Sequence, residues 1–298
     1  GPHMTSSPQG VETQAGHWPD LRVFAFDHRL QLEEMPGANR EKIGAFKQLC
    51  LRAAKAVQAG QDGYGVLCDG RLGQDTLDEL VGSGLWVGRP VEWPGSRPLK
   101  LEPELRDDFS GLANWHGSQT LKCLCFCHPD DDSNMWRAQE DTVKSLYEAT
   151  KAQGLKFLLE VIPSKVGPVS VDTTARLIQR FYDLGVYPNW WKLEPFKTDA
   201  EWAAACDAIH KNDPDVFGIV VLGLDAPVQE LFDSFARAAQ YDLVKGFAVG
   251  RSIFGDTARA WMLGQISDDA AVDQMANIYK SLCDTWDKAR AQGKEDVA

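Results

Sequence analysis

The sequence has no apolar run approaching the roughly 18 residues that a membrane span requires, so no membrane association is expected. It is short of positive charge: 31 Lys and Arg stand against 43 Asp and Glu, a formal charge of −12. That balance argues against nucleic acid held on a general basic surface, and it leaves room for a local basic pocket. Histidine is scarce. His17, His28, His116 and His210 show no ligand spacing, so no metal and no other cofactor is expected. No Gly-x-Gly-x-x-Gly follows the first expected strand, which lowers a dinucleotide-binding reading. The seven cysteines are an odd number without the spacing of a disulfide framework. Cys123, Cys125 and Cys127 alternate along an expected strand, where neighbours two apart lie roughly 6.6 Å from each other, too far for an ordinary disulfide. They read as small residues packing against helices in a reducing compartment. No signal peptide is visible, and a cytoplasmic location is expected.

What remains is a chain of 298 residues, 44% hydrophobic, enough for one large domain with a core. Gly1-Pro2-His3-Met4 has the form of a protease-cleavage scar, and residues 1–18 read as tag remnant and disordered lead-in. From there, short β-rich runs and helical spacings alternate. Strands are expected at 21–27, 64–69, 85–88, 121–126, 156–162, 190–194, 216–222 and 244–249. Helices are expected at 41–60, 72–81, 104–113, 134–153, 171–184, 201–211, 227–239, 257–263 and 268–291. The proline-rich stretch 90–103 reads as a loop or lid. Eight strand–helix units in one domain's length predict an α/β fold: residues 19–298 as a single (β/α)8 TIM barrel with an extra C-terminal helix.

The most informative stretch is Trp190-Trp191-Lys192-Leu193-Glu194-Pro195. Alternation puts Trp190, Lys192 and Glu194 on one face of a strand and Trp191 and Leu193 on the other. A lysine on a strand covered by helices is costly unless paired or functional. One reading is a Lys–Glu pair closing the sheet end. The other is an amine kept nucleophilic by burial and a neighbouring cation, which forms a Schiff base with a carbonyl substrate.

Catalytic groups of such barrels sit at the C-terminal strand ends. Asp27 ends the first expected strand, Lys122 lies within the fourth, and Glu160 lies near the end of the fifth. Four ionisable groups on four strands have two readings: they neutralise each other, or they serve a retro-aldol cleavage with Lys192 as nucleophile, Lys122 beside it, and Asp27 and Glu160 carrying protons. After the seventh and eighth strands, Gly223, Gly250, Arg251 and Ser252 offer backbone amides and a guanidinium to a phosphate.

These residues carry a resemblance. Ala25-Phe26-Asp27-His28-Arg29, the segment 122–132, Leu158-Leu159-Glu160 and Trp191-Lys192-Leu193-Glu194 resemble the class I tagatose-bisphosphate aldolase family. Residues 86–92, 128–132, 190–195 and 245–254 are similar to the subgroup acting in bacterial myo-inositol catabolism, whose members are often fused behind 5-dehydro-2-deoxygluconokinase. The resemblance spans roughly residues 19–290. It implies a metal-independent aldehyde-lyase that cleaves a phosphorylated keto-sugar acid, 6-phospho-5-dehydro-2-deoxygluconate, to dihydroxyacetone phosphate and malonate semialdehyde. It implies Lys192 as the Schiff-base lysine, completed by Asp27, Lys122 and Glu160. A sugar kinase, fused or functional, is an implied partner, and a homo-oligomer is compatible. Such a substrate carries a carboxylate far from its phosphate, and Arg29 and Arg89, with Arg71 a weaker third, are the candidates to meet it. Each of these arginines has an ordinary ion pair as its alternative. The pattern departs from the tagatose-type enzymes at His128, which stands where they carry an acid; it either orients a substrate hydroxyl or caps its loop. Asp130 to Asp132 read as a helix start. The rival readings are a class I aldolase for another ketose or sulfo-sugar phosphate, and a non-catalytic sugar-phosphate-binding barrel that regulates a kinase.

Overall fold

Eight short strands rich in β-branched and aromatic residues pair only in parallel in the computed structural model, which describes residues 19–297. They are β1 (Leu21–Ala25), β2 (Tyr64–Leu67), β3 (Trp86–Pro90), β4 (Gln119–Cys125), β5 (Lys156–Val161), β6 (Trp190–Leu193), β7 (Gly218–Leu222) and β8 (Val244–Val249). Each pairs with the next, and β8 returns to β1 through Val23 opposite Ala248, so the sheet closes. The expected (β/α)8 barrel is therefore the fold. The expectations for 1–18 lie outside the described residues.

The helices are α1 (Leu30–Glu33), α2 (Arg40–Gln58), α3 (Gln74–Leu80), α4 (Ser133–Ala152), α5 (Thr173–Leu184), α6 (Asp199–Asn212), α7 (Val228–Ala238), α8 (Arg251–Met262) and α9 (Asp268–Val297). Asp132 caps α4 by accepting from the Met135 amide at 2.8 Å, which gives the acidic run a role as a helix start. α9 packs against α2, α7 and α8 and closes the outer ring. Among the described residues no helix is long and apolar enough to cross a membrane.

Several bounds shift, with β3 running to Pro90 and α9 to Val297, and two differences are larger in consequence. No α-helix spans 104–113. That stretch holds two 3-10 turns, Pro103–Leu105 and Ser110–Asn114, because Arg106 and Phe109 adopt left-handed backbone (φ 62° and 61°), which no helix can continue through. Leu105, Leu112 and Trp115 from this irregular excursion fill the layer a third helix would cover. The second difference is α8, expected from residue 257, which starts at Arg251.

Alternation sorts the strand side chains into two cores. Leu21, Val23, Ala25, Leu67, Trp86, Leu158, Trp190, Val220 and Ala248 fill the barrel. Trp191, Leu193, Cys123 and Cys125 face the helices, joined there by Cys127 just past β4. Trp86 and Trp190 meet edge to face at 6.3 Å inside the barrel. Gly88 makes room for them, because a Cβ there would overlap Leu67 and the Trp86 ring. All seven cysteines are free and buried. Burial pushes the Cys123 thiol well above its ordinary value, as suits an inert packing residue.

Candidate active site

The inward phase of β6 carries Lys192 next to Glu160 of β5, its partner in the register. Burial above an aromatic floor removes the water that would screen these charges, so partners must be found nearby. Lys192 Nζ lies 3.1 Å from Glu160 Oε2. The other oxygen of the same carboxylate, Oε1, lies 3.3 Å from Lys122 Nζ. Lys122 also reaches Asp27 Oδ2 at 3.1 Å and Glu92 Oε1 at 3.3 Å. All five side chains are buried. The structure thus brings together the four residues singled out as catalytic and adds Glu92.

Burial opposes the charge on Lys122, but Asp27, Glu92 and Glu160 outweigh it and raise its pKa above the ordinary lysine value. Burial likewise opposes ionisation of Asp27, and Lys122, His28, Lys192 and Arg29 more than reverse it, holding the carboxyl well below the usual carboxylate range. His28 goes the other way. Burial, with Arg251, Lys47 and Lys192 adding to it, overrides the pull of Asp27 and brings the imidazole down to about 3. At neutral pH the site therefore holds a fixed ammonium, a fixed carboxylate and a neutral imidazole.

Glu92 lies just past β3, in the phase of Trp86, Gly88 and Pro90. It accepts the Leu124 amide at 2.8 Å and pairs with Arg29. Reading Pro90 as the start of a loop hid it. Continuing the period of two by one more residue would have found it.

The four residues proposed for phosphate line the same pocket from β7 and β8. Gly250 precedes α8, and a Cβ there would overlap the Ala25 carbonyl and the His28 ring. Gly223 starts a turn in which Leu224 and Asp225 are left-handed (φ 51° and 57°) and the Ala226 amide returns to the Gly223 carbonyl at 3.0 Å. Ser252 Oγ donates to the Ala226 carbonyl at 2.5 Å, tying this turn to the first turn of α8. The Arg251 guanidinium has the 3.9 Å approach of Asp225 as its ion contact. A helix N-terminus beside an arginine is an arrangement that favours an anion.

The four remaining candidates are placed differently. Arg29 lines the pocket but is spoken for: it pairs with Glu92, reaches Glu102 Oε1 at 3.0 Å, and donates to the Asp27 and Glu92 carbonyls at 3.0 and 2.6 Å. Arg71 backs the same Glu102 at 3.1 Å. Arg89 falls on the outward phase of β3, stacks over Trp115 at 4.3 Å and pairs with Glu104 at 3.2 Å, away from the pocket. His128 also lies outside it. Its Nδ1 accepts the Asp130 amide at 3.1 Å, so Nε2 carries the proton and donates to the Pro168 carbonyl at 2.7 Å. It ties two loops together.

The pocket these groups line holds about 250 Å³, near the lower end of the roughly 300–1,000 Å³ common for small-ligand sites. A sugar-sized ligand suits it. Among the described residues no group of three His, Cys, Asp or Glu side chains is placed to hold a metal ion.

A (β/α)8 barrel is the class this fold defines. Fructose-bisphosphate aldolase from Plasmodium falciparum, solved with TRAP and a small-molecule inhibitor, is similar with a TM-score of 0.64 over 92% of this chain and 91% of that one, at 12% identity. Cgl0159 from Corynebacterium glutamicum is similar with a TM-score of 0.54 over 92% and 90%, at 20% identity. At such identities the likeness is one of fold. Residues 9–290 match the family described as "Uncharacterized protein conserved in bacteria (DUF2090)", and the chain belongs to it. No curated protein matches.

Proposed function

We propose that this protein is a class I aldolase that cleaves a phosphorylated keto-sugar acid through a Schiff base on Lys192. The observation that carries the reading is one carboxylate, Glu160, bridging two buried lysines at the C-terminal end of the barrel, with Lys192 Nζ at 3.1 Å and Lys122 Nζ at 3.3 Å.

Amine attack on a ketone needs a proton acceptor on the amine, and Glu160 is within reach of Lys192 Nζ. Returned to the departing hydroxyl, that proton lets water leave and an iminium form. The iminium is the electron sink for cleavage of the carbon–carbon bond one position away. The hydroxyl that becomes the aldehyde gives up its proton as the bond breaks, and Glu160, left as a carboxylate once water has departed, takes it. Asp27, kept ionised by its neighbours, is suited to accept a hydrogen bond from that hydroxyl and orient it. Lys122, kept cationic, stabilises oxyanion character developing beside it. Protonation of the enamine by Glu160 and hydrolysis then free Lys192. With the phosphate at the start of α8, the ketone falls over Lys192 on β6.

The finer reading is 6-phospho-5-dehydro-2-deoxygluconate as substrate, giving dihydroxyacetone phosphate and malonate semialdehyde. It is supported by the motif resemblance of residues 86–92, 128–132, 190–195 and 245–254. The test is borohydride reduction with dihydroxyacetone phosphate in the presence of a chelator, followed by peptide mapping. A three-carbon adduct on Lys192 is expected, because an iminium supplies the electron sink that a metal supplies elsewhere. Lys192→Met should lose the adduct and slow turnover at least about a thousandfold without unfolding. An adduct on Lys122, or none, sinks the reading.

A further inference from the structure

The ion pairs of the pocket leave a question about its far end. Five cations line it: Arg29, Lys122, Lys165, Lys192 and Arg251. Lys122, Lys192 and Arg29 are each within 3.3 Å of a buried carboxylate. Arg251 belongs to the phosphate end. Lys165 makes no ion pair among the described residues.

Lys165 sits in a 3-10 turn, Pro163–Lys165, directly after β5. That turn is fastened from both sides. Glu194, in phase with Lys192 one turn of pleat further along, accepts the Ser164 amide at 3.1 Å and the Ser164 hydroxyl at 2.6 Å. Beyond the turn, the His128 ring holds the Pro168 carbonyl at 2.7 Å, and His128 is itself fixed by Asp131 accepting its amide at 2.9 Å. The backbone carrying Lys165 is thus positioned by three polar side chains, while its own ammonium is left for solvent or ligand. In the closed strand order, β6 and β7 separate β5 from β8. A ligand with its phosphate at α8 and its ketone at Lys192 of β6 therefore continues toward the β5 turn. Toward the opposite rim, Arg29, Arg71 and Arg89 are neutralised by Glu92, Glu102 and Glu104.

We propose that Lys165 is a second anion-binding point of this pocket, so that its substrates are sugar phosphates carrying another acid group at the far end. The proposal rests on reading the pocket as a sugar-phosphate site. It places the second acid at Lys165 rather than at Arg29 or Arg89. It also gives Glu194, Ser164 and His128 the task of positioning that lysine.

Calorimetric titration tests it on the full chain with three probes: dihydroxyacetone phosphate, which has one acid group; fructose 1,6-bisphosphate, which has two phosphates; and 6-phosphogluconate, which has a phosphate and a carboxylate. Lys165→Met should weaken at least one two-ended probe tenfold or more and leave dihydroxyacetone phosphate within twofold. Which of the two responds tells whether the far acid is a carboxylate or a phosphate. Ser164→Ala, which unfastens the turn but keeps the lysine, should shift the same probe by a smaller factor. Equal weakening of all three probes, no weakening of any, or no binding of either two-ended probe to the unaltered protein overturns the proposal. An adduct on Lys192 with unchanged titrations in Lys165→Met removes the second anion point alone. A selective loss in Lys165→Met without any adduct removes the Schiff-base reading alone.

Discussion

His28 shows how one residue's surroundings become a measurable property of the protein. Its ring meets Phe254 edge to face at 5.0 Å, and burial, with Arg251, Lys47 and Lys192 adding to it, keeps it from accepting a proton until about pH 3. In the unfolded chain the same imidazole titrates near 6.5. Between those values the unfolded chain binds a proton that the folded chain does not, so stability falls as the pH drops, by at most about 1.4 kcal/mol per unit. Asp27 adds an acid loss of its own. Its folded value lies below 3.8, so its contribution is present above that and declines only as the pH falls further. The window from about 6.5 down to 4 therefore isolates the histidine. Urea unfolding at pH 7 and pH 5 should show a smaller loss of stability in His28→Gln than in the unaltered protein. Equal losses would mean that His28 is solvated enough to titrate normally.

At the scale of elements, α8 is where sequence and structure part most instructively. Gly250 and Gly255 make the stretch read as a loop with a helix beginning near residue 257. The helix starts six residues earlier, at Arg251, because the Gly250 carbonyl accepts the Ile253 and Phe254 amides at 2.8 and 3.1 Å and close packing on Ala25 leaves no space for a larger residue at 250. Packing overrides propensity there. The β6 strand was legible because its period of two needs no partner to be read: Trp190 and Lys192 face inward, Trp191 and Leu193 outward. The order of eight units was legible for the same reason. Ion-pair choice was not. Nothing in the spacing of Arg29, Arg89 and Lys165 says which of them a distant glutamate will neutralise, since Glu92, Glu102 and Glu104 come from an irregular excursion whose path only the folded chain reveals. The consequence for function falls on the first residue of α8. With a phosphate bound as proposed, Arg251→Ala should remove a charge-assisted hydrogen bond of about 1.5–3 kcal/mol, which corresponds to a KM roughly 10- to 150-fold higher. The fold should be undisturbed, since among the described residues the ion contact Arg251 has to lose is the 3.9 Å approach of Asp225. An unchanged KM for a phosphorylated substrate would place the phosphate elsewhere.

Across the whole molecule, the barrel separates the end that does chemistry from the end that closes the chain on itself. The closing end is built around Arg290 of α9. Its guanidinium reaches Asp20 at 3.0 Å just before β1, the Ala239 and Tyr241 carbonyls at 2.9 and 3.1 Å after α7, and the Val244 carbonyl at the start of β8. Trp286 donates to the same Asp20 at 3.0 Å and stacks under the guanidinium at 5.2 Å. A second clasp runs beside it, with Arg22 paired to Asp287 at 2.5 Å and the Tyr279 hydroxyl donating to the Arg22 carbonyl at 2.7 Å. These bonds fasten the first strand, the last strand and the last helix where no covalent link does so. Arg290→Ala leaves a carboxylate and three carbonyls without their shared donor, and breaking a buried pair from one side costs about 3–5 kcal/mol. For a domain of this size that lowers Tm by on the order of 10 °C. The proposed catalytic cluster lies at the opposite strand ends, with Lys192, Glu160, Lys122 and Asp27 held by one another rather than by α9. Below the lowered Tm, the Arg290→Ala protein should therefore form the Lys192 adduct with dihydroxyacetone phosphate as readily as the unaltered one. A fall in adduct yield parallel to the fall in Tm would show that closure of the barrel floor and geometry of its mouth are coupled through the tryptophan layer between them.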